Sequence, residues 1–331
     1  MAMKVLVTGG AGFIGSHIVD RAVELGYRTV IVDNLSTGKR EHVNPQARLY
    51  QEDIRSAELK RILEHERPDV VIHHAAQIDV QHSIANPGED AAINIAGTVN
   101  LLEGCVQAGV RKFVYASSAA VYGQPVALPV TEEHPKQPIS FYGVSKYVPE
   151  YYIQTFASLY GMEYTILRYA NVYGIRQDPK GEGGVISIFL DRAMRGETLR
   201  IFGDGSQTRD FIYVGDIAEA NMQAIHHGSG RIVNVGTSTA VSLLELVGTF
   251  ETVTGKEQTV SFEDARPGDI QHSSLDNRMA VEHLNWQPQV NLSEGIKRTC
   301  DYYAPLYAAK KAEEALEMIG ETRKAAAVAV T

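Results

Sequence analysis

Two cysteines, Cys105 and Cys300, are all that the 331 residues hold. That is too few for a disulfide framework, and the pair reads as two small buried hydrophobes suited to a reducing cytoplasm. No apolar run is long enough to span a bilayer, so no membrane partner is expected. Positive charge is also scarce: 31 Lys and Arg against 40 Asp and Glu leave a net charge of -9. A general nucleic-acid binder would show a basic face instead. No internal repeat is visible, and no signal peptide precedes the first apolar strand at Lys4. Histidines are plentiful, but His73-His74 and His226-His227 are adjacent rather than three or four apart, and no cysteine pattern joins them. No metal site is expected. What remains is 44% hydrophobic and 21% charged residues, the balance of a globular chain long enough for one large domain or two.

Short apolar strands alternate with helical stretches through the first half. Strands are expected at Lys4 to Thr8, Arg28 to Asp33, Leu49 to Gln51, Asp69 to His73, Lys112 to Ala116 and Glu163 to Arg168. Helices are expected at His17 to Leu25, Ala57 to His65, Glu89 to Ala108 and Tyr142 to Tyr160. This alternation predicts an α/β fold, a Rossmann-type doubly wound parallel sheet covered on both faces. After Asn171 the pattern loosens. A Gly/Pro/charge-rich loop spans Asp178 to Gly184. Beyond it come helices near Ile186 to Met194, Gly215 to His227, Ser242 to Thr254 and Ser293 to Tyr303, with a strand at Leu199 to Phe202. The expected division is 1–173 for the nucleotide-binding domain, 174–305 for a smaller α/β substrate lobe that returns some segments to the sheet, and 306–331 for an Ala/Glu/Lys-rich tail. That tail reads as a helix fraying into disorder at Ala325 to Thr331.

The segment Thr8-Gly-Gly-Ala-Gly-Phe-Ile-Gly15 joins the first strand to the first helix. Glycines at 9, 12 and 15 permit a sharp turn and let a pyrophosphate approach the backbone at the helix N-terminus. Asp33 closes the second strand about 20 residues on, where a carboxylate accepts from ribose hydroxyls and repels a 2′-phosphate. This favours NAD over NADP, although Lys39 and Arg40 lie nearby. Downstream, Tyr142-Gly-Val-Ser-Lys146 puts a phenol and an ammonium one helical turn apart on one face. A neighbouring cation should lower the pKa of the phenol, making a base that strips a proton from an alcohol while a nicotinamide takes the hydride.

With these features together, the chain resembles an extended short-chain dehydrogenase/reductase, and within that superfamily the nucleotide-sugar 4-epimerases of the UDP-glucose/UDP-galactose type. The resemblance runs from Lys4 to about Tyr303. Besides the glycine loop and the Tyr-Lys pair it rests on Asp33-Asn-Leu-Ser-Thr-Gly38, Asp53-Ile54, His74-Ala-Ala-Gln77, Asn94, Ser117-Ser-Ala-Ala-Val-Tyr-Gly123, Arg168-Tyr-Ala-Asn-Val-Tyr-Gly174, Arg209-Asp-Phe-Ile-Tyr-Val214 and Arg266-Pro-Gly-Asp269. It implies a catalytic set of Ser118, Tyr142 and Lys146. It implies NAD contacts from Gly9, Gly12, Phe13, Ile14, Gly15, Asp33, Asn34, Ser36, Thr37 and Gly38, with Asp53 and Ile54 flanking the adenine. His74, Ala75, Ala76, Gln77 and Asn94 would line the trough, Tyr142 and Lys146 would reach the cofactor, and Tyr169 and Val172 would sit by the nicotinamide. Substrate contacts are implied for Val80, Ser118, Tyr142, Asn171, Val185, Arg209, Arg266, Asp269 and Ser273. Guanidinium groups suit a diphosphate because their donors are fixed in a fork.

Relatives share the oxidation step and differ in the chemistry after it. Dehydratases carry an Asp-Glu pair after the catalytic serine, and decarboxylases a Glu. Here Ala119 and Ala120 stand there, and alanine cannot move a proton. The implied reaction is therefore hydride out and hydride back at C4, interconverting UDP-Glc and UDP-Gal. Ser273, in place of a bulky residue, would leave room for UDP-GlcNAc and UDP-GalNAc. Alternatives are a UDP-glucuronate 4-epimerase, with Arg176 or Lys180 meeting the sugar carboxylate, another nucleotide-sugar oxidoreductase, or a non-catalytic NAD-binding scaffold. Pro149, three residues after Lys146, should bend the catalytic helix. The resemblance also implies a cytoplasmic homodimer paired through helices 89–108 and 142–160.

Overall fold

The computed structural model describes residues 2–179, 184–265 and 270–328, the part beyond 309 mainly as backbone. Seven parallel strands form the central sheet: β1 (Lys4–Thr8), β2 (Arg28–Val32), β3 (Arg48–Tyr50), β4 (Val70–His73), β5 (Lys112–Ser118), β6 (Glu163–Tyr169) and β7 (Arg231–Val235). Their order is β7-β6-β5-β4-β1-β2-β3. The direction of winding reverses between β1 and β4, which opens a crevice at their carboxyl ends, the usual place for a ligand in such sheets. Register aligns Thr8 with His73 and Ser118 with Tyr169, so the residues that leave these strands emerge along one edge.

Apolar residues buried on both faces explain why the strands read as near-continuous hydrophobic runs. One core, with Val5, Val7, Ile18, Ile72 and Trp286, covers one face. The other, with Leu6, Ile62, Leu102, Phe113 and Ile153, covers the opposite face. A third core around Phe189, Leu246 and Phe250 lies among the elements of the second half.

Four expectations need adjustment. The first helix begins at Phe13 rather than His17, directly off the glycine turn. The stretch expected as one helix from Glu89 to Ala108 contains a π-helical turn at Ala92–Ala96, between helices Pro87–Ala91 and Gly97–Ala108. Helix Phe141–Tyr160 continues through Pro149 without a break. Buried contacts hold it there: Glu150, the next residue, is bound by Ser117 and Arg168. The last helix runs from Leu292 to Val328, so the disorder expected from Ala325 is replaced by helix as far as Val328; residues 329–331 lie outside the described residues.

Several short elements escaped the sequence reading. The most useful are strands Asn171–Tyr173 and Phe211–Tyr213, which pair in parallel, and Thr208–Arg209, which pairs with Val241–Ser242. Strands of two or three residues carry no readable period. β7 was missed as well, although its addition beside β6 gives the sheet its outer edge.

Candidate active site

The crevice holds a cavity of about 480 Å³ at the carboxyl ends of β1, β2 and β4. Its floor is the glycine turn. Gly9 has φ +69°, and a Cβ there would lie 2.7 Å from Ala75 N. A Cβ on Gly15 would lie 2.1 Å from Gly9 O, so only glycine allows the turn and the first helical coil to touch. Gly12 caps the helix with no side-chain acceptor for its leading N–H groups. A ring of free backbone donors at a helix N-terminus suits a pyrophosphate.

Asp33 is buried and anchors this turn. Its Oδ2 accepts from Ala11 N at 2.9 Å and its Oδ1 from Leu35 N at 2.8 Å. Gly38 packs against the same carboxylate: a Cβ there would lie 2.8 Å from Asp33 Oδ1. Gly38 thus packs against Asp33 rather than lining the cavity. Asn34, Ser36, Thr37, Asp53 and Ile54 do line it, as do His74, Ala75, Ala76 and Gln77. Asn34 Nδ2 donates to Asp53 Oδ2 at 3.0 Å, and Arg55 pairs with the same carboxylate at 2.8 Å, which holds Asp53 well below the usual carboxylate range. Lys39 is paired with Asp178 at 3.4 Å, and Arg40 with Gln51. The cradle fits an NAD: the Asp33 carboxylate sits against the glycine turn, and the nearby cations Lys39 and Arg40 are engaged by Asp178 and Gln51.

Ser118 ends β5 and Tyr142 and Lys146 stand on helix Phe141–Tyr160, which Ser140 caps through Gly143 N at 3.1 Å. Burial pushes the Tyr142 phenol up, and the Ser118 hydroxyl acts the other way. Lys146 is buried, with Nζ 4.7 Å from the centre of the Tyr115 ring. Burial pulls its ammonium down to about 8, against the charges of Glu150 and Asp90. The expectation that Lys146 lowers the Tyr142 pKa is therefore not met in the protein itself. Desolvation outweighs any help from the lysine, whose own ammonium is pulled down by the same burial.

Asn94 is a clamp. Its Oδ1 accepts from Gln77 N at 2.8 Å, and its Nδ2 donates to Gln77 O at 2.9 Å and to Ser145 Oγ at 2.9 Å. It ties the cavity wall to helix Phe141–Tyr160. Tyr169 shares a 3.0 Å hydrogen bond with His74 Nε2 and accepts from Asn221 Nδ2 at 2.8 Å.

The residues expected to hold substrate are only partly described. Arg266, Asp269 and Lys180 lie outside the described residues. Asn171 pairs with Phe211, and Ser273 N donates to Thr208 O at 3.1 Å, so Asn171, Arg209 and Ser273 come together on adjoining segments. Val80 opens the short helix Val80–Ala85, and Ser83 of that helix accepts from Tyr142 N at 3.1 Å. Val185 opens helix Val185–Arg195 and packs on the third core. Arg176, a candidate for a sugar carboxylate, is engaged by Asp20 at 2.7 Å instead. Sequence reasoning missed Arg55, whose only signal is its place two residues after Asp53. It also missed Asp90, bonded to Gln77 and Asn94, and Glu150, whose partners Ser117 and Arg168 lie on other elements.

Residues 5–236 match the model of the NAD dependent epimerase/dehydratase family. The chain belongs to this family. A relative from Methanocaldococcus jannaschii, a putative UDP-glucose 4-epimerase, is 49% identical over 90% of this chain and 97% of its own length. The crystal structure of UDP-glucose 4-epimerase with UDP-glucose from Thermotoga maritima is 44% identical, with a TM-score of 0.90 over 92% of this chain and 99% of that one. The Thermus thermophilus UDP-glucose 4-epimerase complex with NAD is 40% identical, with a TM-score of 0.86 over 91% and 99%. The family is NAD-dependent, and the cradle built by Gly9, Gly15 and Asp33 accords with that cofactor.

Proposed function

We propose that this epimerase-family protein interconverts UDP-glucose and UDP-galactose by inverting C4 of the sugar, with NAD held through the cycle. The observation that carries this reading is the Ser118 hydroxyl acting on the buried Tyr142 phenol, with Ala119 and Ala120 directly after the serine. The set can move the proton of one alcohol and has no further acid or base for expelling water.

Gly9, Gly12, Phe13, Ile14 and Gly15 hold the pyrophosphate, Asp33 a ribose, and Asp53 with Ile54 the adenine. Tyr169 and Val172 flank the nicotinamide. Bound NAD supplies the acceptor, and in the return sense the donor, of the C4 hydride. Tyr142 Oη takes the proton of the sugar 4-hydroxyl. Burial that raises the phenol makes it a stronger base once ionised, and the Ser118 hydroxyl, donating to the phenolate, steadies that form. Lys146 remains a cation below about pH 8 and adds its charge to the same end. Asn171, Arg209, Arg266 and Asp269 hold the nucleotide diphosphate. The 4-keto sugar turns among small residues, and Tyr142 returns the proton to the same oxygen. Ser273 leaves space beside C2, so UDP-GlcNAc and UDP-GalNAc are accepted too.

Pairing of two copies through helices 89–108 and 142–160 fits the second helix, where Val144, Tyr151, Tyr152 and Leu159 are exposed. The protein then works as a cytoplasmic homodimer, which light scattering of the purified chain tests.

The deciding experiment incubates purified protein with UDP-galactose and no added cofactor, then resolves the products by chromatography. UDP-glucose should appear. Its absence even with NAD supplied sinks the reading. A parallel incubation with UDP-GalNAc decides the Ser273 argument.

A further inference from the structure

Asp90 contacts Gln77, which lines the candidate site, although no motif marks it. It lies in helix Pro87–Ala91, one turn before Asn94, and is 1% exposed. Its Oδ1 accepts from Gln77 Nε2 at 2.7 Å and from Asn94 Nδ2 at 3.3 Å. Asn94 in turn reaches Ser145 Oγ, on the turn between Tyr142 and Lys146. Asp90 Oδ2 is buried with no hydrogen-bond partner among the described residues. A buried carboxylate oxygen left unpaired is costly, so its presence one residue removed from the helix of Tyr142 and Lys146, through Asn94, calls for a reason.

The other titratable groups around Tyr142 and Lys146 do not supply a free anion. From the end of β4, His73 is held far below its ordinary range and His74 down to about 3, both by burial, so neither carries charge at neutral pH. From β5, the Tyr115 phenol is pushed well up by burial and stays protonated. On the catalytic helix itself, Glu150 is locked to Arg168 at 2.6 Å. Asp90 has no ion pair of its own among the described residues, and its charge acts on Tyr142 and Lys146 alike.

We propose that Asp90 is a positioning residue of the reaction: its unpaired carboxylate keeps the Lys146 ammonium charged in a dry site, while its second oxygen fixes Gln77 and Asn94 against the helix that carries Tyr142. This rests on the epimerase reading for its kinetic consequence and on the geometry alone for its electrostatic one.

Asp90→Asn removes the charge and keeps an acceptor for Gln77 and Asn94. With UDP-galactose as substrate, both limbs of the pH profile should move to lower pH, because the charge lost had favoured the protonated form of each group. The ratio of the rate at pH 6 to that at pH 9 should rise several-fold. A role limited to packing would lower the rate by one factor at every pH and overturn the proposal. A second readout needs no turnover. Tyrosinate absorbance is titrated in the protein and in its Tyr142→Phe counterpart, and the difference reports Tyr142. With Asp90→Asn in both, the onset should come at lower pH; an unmoved onset overturns the proposal. Failure of the unaltered protein to turn over any UDP-sugar would defeat the epimerase reading, and the absorbance titration would still decide Asp90. Should Asp90→Asn not fold, Asp90→Ser removes the same charge from a smaller side chain.

Discussion

Glu150 and Arg168 form a two-pronged ion pair at 3.0 and 2.6 Å, with side chains 1% and 2% exposed. Ser117 donates to Glu150 at 2.6 Å, and Arg168 donates to the Tyr122 hydroxyl at 2.9 Å. Tyr122 passes the chain on to Asn234 at 2.6 Å. The network therefore links helix Phe141–Tyr160, β5, β6 and β7. Removing one partner strands the other charge in a dry core. Glu150→Ala should destabilise the fold by about 3–5 kcal/mol. Urea unfolding followed by circular dichroism measures it; a midpoint equal to that of the unaltered protein would show that the pair is not what holds the helix past Pro149.

Gly15 offers a sharper test of the cofactor cradle. A Cβ at this position would lie 2.1 Å from Gly9 O, and the contact is with backbone, which cannot swing aside. Gly15→Ala must therefore push the glycine turn away from the first helix. The expected result is loss of most retained NAD, read as cofactor released per chain on acid denaturation. An NAD content like that of the unaltered protein would mean that the turn adapts and does not seat the pyrophosphate.

His74 gives stability a pH dependence with a defined sign. Its pKa falls from an ordinary 6.5 to about 3 on burial. The unfolded chain binds this proton first as pH drops, so the stabilising preference for neutral imidazole is complete above about 6.5 and is lost as pH falls toward 3. His73 is shifted the same way. Unfolding free energy should thus be smaller at pH 5 than at pH 7.5, and His74→Gln should flatten that difference. A variant with the same slope as the unaltered protein would remove His74 from the account.

The glycine turn, Asp33 and the Tyr142–Lys146 spacing were legible because each follows from local geometry: close backbone approach demands glycine, and one helical turn sets a face. The parallel sheet was legible from runs of apolar residues in its strands. Asn94 Nδ2 to Ser145 Oγ and Asp90 Oδ1 to Gln77 Nε2 were not, because the pairing residues are 51 and 13 positions apart and no periodicity connects them. The direction of the Tyr142 shift was misjudged for a similar reason. The spacing shows a cation next to a phenol, but only the fold shows how deeply both are buried. Pro149 was read from its local cost alone, and Arg168 on β6 supplied the compensation.

The catalytic assignment predicts unequal effects from its members. Tyr142→Phe removes the group that handles the proton and keeps the ring, so packing should survive. Turnover of UDP-galactose should fall about 100- to 10,000-fold, the usual range for an acid–base group, while the protein still retains NAD. Ser118→Ala leaves Tyr142 in place and removes one donor to its phenolate, so the loss should be smaller. It should grow at lower pH, where the phenolate is hardest to form without that donor. Steady-state kinetics of both variants across pH, with bound NAD quantified in each, test the order. A Ser118→Ala loss as large as that of Tyr142→Phe, at every pH, would place the proton on the serine instead and reverse the two roles.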